Sequence, residues 1–172
     1  EEIPGQTVSA EHETYAFNNS IGRIGISADR AGHAKVVWST PYGQAPQVWS
    51  AEWFSLTNNW AFVQQFDEGY WPAIAFNYTN VAVSVFIDVW YTDLDVIYAE
   101  EVMYDWGPST WAANSGFADY RPAIAAKPYY FVAVWYAYDT INNDYDIWWS
   151  EYNGVAWTPA RTIAQVPGYD MN

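Results

Sequence analysis

Hydrophobic and polar positions along this chain recur with a period of about fifty residues, a spacing that marks a repeat architecture. Gly22-Arg23-Ile24-Gly25-Ile26-Ser27 lines up with Tyr70-Trp71-Pro72-Ala73-Ile74-Ala75 and with Tyr120-Arg121-Pro122-Ala123-Ile124-Ala125, at offsets of 48 and 50 residues. A second anchor follows in each copy, at Val37-Trp38, Val85-Phe86 and Val134-Trp135, inside β-branched and aromatic runs with no helical period. The third is Val48-Trp49-Ser50-Ala51-Glu52, matched by Val96-Ile97-Tyr98-Ala99-Glu100 and Ile147-Trp148-Trp149-Ser150-Glu151, so each copy carries a Glu at one strand phase. Trp60, Trp111 and Trp157 then open a last strand after turns such as Asn58-Asn59 and Asn153-Gly154.

Four short strands per unit, joined by hairpin turns, predict an all-β fold whose units are blades of a β-propeller. The blades span approximately residues 20–67, 68–116 and 117–165 of a single domain over 1–172, and residues 1–19 supply an outer or ring-closing strand. Known propellers typically use four to eight blades, so this count predicts completion by further sequence or by homo-oligomerisation.

Composition narrows the setting. Aromatic residues make up 20% of the chain, with 12 Trp and 15 Tyr, as suits strands. Six Lys and Arg stand against 20 Asp and Glu, a formal net charge of −14, which argues against nucleic acid and anionic membrane surfaces as partners. No apolar run approaches the roughly 18 to 20 residues that span a bilayer as a helix. There is no cysteine, so thiolate chemistry and disulfides are excluded. The chain opens Glu1-Glu2-Ile3-Pro4, as expected after removal of a signal peptide or for a fragment, and localisation outside the cell or at its surface is the expectation. Asn18-Asn19-Ser20 and Asn77-Tyr78-Thr79 match the glycosylation acceptor pattern.

The third copy, with Pro122-Ala123-Ile124-Ala125, Val132-Ala133-Val134-Trp135, Asp144-Tyr145-Asp146-Ile147 and Trp157, resembles the repeats of sialidase-like (BNR or Asp-box type) propellers and of secreted propeller lectins. The resemblance implies a propeller whose ligand face gathers the starts of the first strands and the loops joining second to third strands. Arg23, Trp71 and Arg121 hold one equivalent position at the start of the first strand, and the resemblance implies that arginines there clamp a carboxylate. A structural ion-pair role is the competing reading, and a third arginine would come from Arg30, Arg161 or missing blades.

Aromatic rings outside the repeat phase, Tyr42, Trp90, Tyr91, Trp106 and Tyr138, are expected at strand ends or turns, where a ring stacks on the apolar face of a sugar. Asp93, Asp95, Asp144 and Asp146 in the loops between second and third strands are the oxygen ligands that a Ca²⁺ site would use, with turn formation as the alternative. Glu52, Glu100 and Glu151 recur in phase, which favours a structural role repeated in every blade. His12 and His33 lack partners at ligand spacing.

The leading expectation is therefore a binding module for carbohydrate or another extracellular ligand, without catalysis. Its rivals are a sialidase-like glycoside hydrolase fragment and a self-assembling structural protein.

Overall fold

The computed structural model of the chain describes residues 23–40, 46–88, 94–102, 104–113, 115–141 and 143–164. They form three antiparallel sheets in chain order and no helix. The first sheet contains β1 (Ile24–Ala28), β2 (Ala34–Ser39), β3 (Gln47–Phe54) and β4 (Asn59–Glu68). The second contains β5 (Tyr70–Phe76), β6 (Ala82–Ile87) and β7 (Val96–Val102), and its outer position is shared by β8 (Asp105–Trp106) and β9 (Thr110–Ala113). The third contains β10 (Ala118–Ala126), β11 (Phe131–Asp139), β12 (Asp144–Tyr152) and β13 (Arg161–Ala164). Among the described residues the sheets do not close into a ring.

Each anchor lies on a strand, with one exception. Trp157 does not open β13; it makes a single bridge to Tyr152, and β13 begins at Arg161. Its ring stacks on Tyr152 at 5.3 Å and meets Tyr98 of the preceding sheet edge-on at 5.5 Å, so packing between sheets fixes it.

Because successive side chains point to opposite faces of a strand, each sheet has two distinct faces. On the second sheet, Ile74, Ala82, Phe86 and Ile97 turn toward the first, where they meet Val37 and Val48. Val83, Val85, Ile87 and Val96 turn toward the third, where Phe131, Ala133, Trp135 and Tyr152 cover them. Continuous burial along β6 follows from this double contact. The hairpin between the first two strands is tied by a side chain in two repeats. Asp29 Oδ1 accepts from the amides of Ala31 and His33, both at 2.8 Å, and Asn77 Oδ1 accepts from the amides of Thr79 and Val81 at 2.9 and 3.0 Å. Asn77 itself is buried in this turn.

Candidate functional site

The starts of β5 and β10 and the turns between the second and third strands lie at one end of the sheets, since Tyr70 pairs with Ile87 and Asp119 with Ala137. We call this end the mouth. β5 and β10 each carry a bulge there, with register shifts between Tyr70 and Ala73 and between Tyr120 and Ala123. Trp71 and Arg121 sit at the two bulges with φ of 51° and 46°, a left-handed conformation uncommon for side-chain-bearing residues and concentrated at functional sites. The extra residue re-aims these side chains away from the regular strand alternation.

Three of the sequence-predicted residues gather at the mouth. Arg23, exposed at the start of β1, donates from Nη1 to the carbonyl of Pro122 in β10 at 3.4 Å, linking the first and third sheets. Trp71 packs against Tyr70 at 5.6 Å and against Tyr120 at 6.2 Å, and Arg121 follows Tyr120 directly and is exposed. The other two arginines proposed for a clamp lie elsewhere. Arg30 stacks over the Tyr78 ring at 3.6 Å in the opposite hairpins, and Arg161 is on the outer strand β13. A three-arginine carboxylate clamp is thus not assembled among the described residues.

Tyr138 lies near the mouth on β11; its hydroxyl bonds Asn143 Oδ1 and its ring leans on Tyr145 at 4.9 Å. Trp106 is at the other end and does not present a sugar-stacking face. It is wedged between the first two sheets, stacked on Phe66 at 4.4 Å, with its indole N–H donating to Ser50 Oγ at 2.8 Å. Tyr42, Trp90, Tyr91 and Asp93 fall outside the described residues.

Charge is distributed unequally between the two ends. At the end away from the mouth, Lys35 is buried with Glu52 at 3.4 Å and also bonds Glu101 of the second sheet. Lys127 pairs with Glu151 at 3.0 Å, and the Tyr152 hydroxyl donates to Glu100 at 2.7 Å. The three in-phase glutamates therefore each have a partner, though a different one in each repeat. Burial raises the Glu52 carboxyl above its ordinary range, with Lys35 opposing the rise. The same desolvation, reinforced by Glu100, raises the Tyr152 hydroxyl.

Buried aspartates mark the mouth instead: Asp88, Asp95, Asp119, Asp139 and Asp146. Among the described residues, however, no three His, Asp or Glu side chains converge to hold a metal ion. Asp95 is buried beside Asp119, and Asp144 Oδ1 accepts from the amide of Tyr145 at 2.8 Å, the turn-forming role. The expected calcium cluster therefore does not form from Asp95, Asp144 and Asp146.

Sequence reasoning missed Asp119, although the repeat contained the signal: Gly69 and Ile21 hold its position in the other copies. Its Oδ1 bonds Ser115 Oγ at 2.6 Å and its amide donates to the carbonyl of Leu94 at 2.6 Å, tying the third sheet to the second. Desolvation raises its carboxyl to about 7; Ser115 and Trp135 oppose the rise, and the Asp95 charge adds to it. Glu68, at the turn into β5, has a buried Oε2 without a hydrogen-bond partner among the described residues.

No protein-family model and no curated protein matches the chain. Solved structures do. The Penicillium chrysogenum α-L-arabinanase complexed with arabinobiose superposes with a TM-score of 0.62 at 11% identity over 87% of this chain and 51% of that one. The GH93 α-L-arabinofuranosidase of Fusarium graminearum, also with arabinobiose, gives 0.63 at 9% identity over 87% and 50%. A xylan β-1,4-xylosidase from Bacillus halodurans gives 0.56 at 12% identity over 85% and 31%. The fold is that of the propeller glycoside hydrolases. The chain spans about half the length of the first two of these enzymes. These likenesses correct the expectation of a module that binds without chemistry, because the folds it resembles belong to enzymes that cleave glycosidic bonds.

Proposed function

We propose that this chain is part of a secreted or surface glycoside hydrolase that takes a neutral saccharide at the mouth. The observation that carries the reading is the gathering of Arg23, Trp71 and Arg121 there, with two of them re-aimed by matching bulges. An indole stacks on the apolar face of a sugar, and a guanidinium donates to its hydroxyls. The acid-rich rim disfavours an anionic substrate, and Arg23 already serves a backbone carbonyl, so a neutral sugar fits better than a sialoside. The likeness in fold to an α-L-arabinanase and a xylan β-1,4-xylosidase supports the same choice.

Hydrolysis requires two carboxylates flanking the scissile bond. Glu68 is the acid we single out, because it is half-buried at the turn into an inner strand with one oxygen unpaired among the described residues. The second would come from the same rim, which acids of the other two sheets also line. The test is a panel of chromogenic arabinofuranoside, xyloside, mannoside and sialoside substrates, followed by Glu68→Gln and Trp71→Ala. Turnover of a neutral glycoside, lost in Glu68→Gln and weakened in KM by Trp71→Ala, supports the reading. Turnover of the sialoside alone would reverse the substrate choice, and turnover unchanged in both variants would remove the site from the mouth.

A further inference from the structure

We infer that two copies of this chain associate head to tail, the open face of the third sheet of each seated on the open face of the first sheet of the other. The repeat provides its own comparison. Val37 and Val85 hold one position in the first and second repeats, on faces covered by the next sheet, and both are fully buried. Val134 holds that position in the third repeat and is only half-buried, on a face shared with Val132, Tyr136 and Trp149. The first sheet is open on its other side. Ile26 matches Ile74, yet Ile26 is 66% exposed and Ile74 is 7%. Trp38, half-buried, matches Phe86 and Trp135, which are buried against a preceding sheet. Ile24 and Ile26 stand directly opposite Trp38 and Val36 across the β1–β2 pair, so these four side chains share one face.

The two open faces are therefore of the kinds that mate twice within the chain. A face bearing Val83, Val85 and Ile87 meets one bearing Phe131, Ala133 and Trp135 between the second and third sheets. The open faces of the third and first sheets continue that interface in repeat phase, and they are complementary to each other rather than to themselves. This is a heterologous contact, which forms a closed ring when its rotation closes and a filament when it does not. Propellers typically contain four to eight blades; with the three sheets that the described residues form, two copies fall within that range while one and three copies do not.

The experiment is light scattering of the native chain across a dilution series, with Ile26→Lys and Val134→Lys measured alone and as an equimolar mixture. Twice the 19.7 kDa of the chain is expected for the native protein, the single-chain mass for each variant, and recovery of the double mass on mixing, since one intact pair of faces remains. Circular dichroism melts of both variants should match the native chain; Ile24→Lys or Val132→Lys replaces a variant that fails to fold. A single-chain mass throughout would overturn the inference and leave the faces to further sheets of a longer polypeptide. Dimerisation retained by one variant alone would overturn it in favour of a face pairing with itself, and masses above the dimer would overturn the closed ring. None of these readings depends on hydrolysis.

Discussion

Asp119 stands opposite Ala137 across the β10–β11 pair, whereas in the preceding repeat Gly69 holds the place of Asp119 and Asp88 that of Ala137. The carboxylate and the small residue have exchanged strands. The second and third repeats thus each keep one acid and one small residue at this level of the mouth, and of the two acids only Asp119 lies at the start of an inner strand.

The protonation of Asp119 couples to stability. Its carboxyl titrates at about 7 in the folded chain against an ordinary 3.8, so the folded state retains a proton that the unfolded chain releases. The resulting stabilisation is fully present below about pH 4 and is lost as pH rises through about 7, on the order of 4 kcal/mol for this shift. Asp119→Asn should remove most of that slope, leaving urea midpoints at pH 5 and pH 8 closer together than in the native chain. An undiminished slope would place the titrating group elsewhere.

Gly69 admits no side chain. A Cβ there would lie 2.6 Å from both the carbonyl oxygen of Ile87 and the ring of Phe86. Gly69→Ala should cost about 1–3 kcal/mol through forced displacement of β6, measured by chemical denaturation.

Lys35 neutralises two buried acids from two sheets. Lys35→Met should destabilise the chain by about 3–5 kcal/mol near neutral pH, because Glu52 and Glu101 are left without their cation. The loss should shrink in acid, where Glu52, already raised by burial, takes up a proton. Comparing the variant's denaturation at pH 7 and pH 4.5 checks both statements.

Trp106 offers a control for the sugar site. Trp106→Phe removes the bond to Ser50, whose hydroxyl is buried, and should cost about 1–3 kcal/mol of stability while leaving KM unchanged on any glycoside the chain hydrolyses. A raised KM with intact stability would return Trp106 to the list of sugar-binding rings.

The sheets were readable in the sequence because the repeat aligns residues that do the same packing work, such as Val37 with Val85 and Phe86 with Trp135. Side-chain destinations were less readable. Trp157 keeps its interval in the repeat but is held by Tyr98 and Tyr152 rather than by a ladder, and spacing cannot distinguish these. Trp106, which breaks the repeat phase, suggested an exposed ring; its burial depends on Phe66 and Ser50 from another repeat. At the mouth, the equivalence of Arg23, Trp71 and Arg121 was legible. The bulges that re-aim two of them were not, and the reach of Arg23 to Pro122 is a contact between sheets that no local pattern encodes.

The outer margins of the sheets have a consequence for a chain so rich in strand-forming aromatic residues. A straight, unpaired strand edge is a template on which a foreign strand can add and a fibril can grow. Here β4 departs twice from regular register against β3, the outer position of the second sheet is divided between β8 and β9 across Gly107-Pro108, and β13 is only four residues long. Among the described residues each margin breaks the hydrogen-bond ladder in a different way, so these sheets carry their aromatic load without offering a long regular seam for runaway polymerisation.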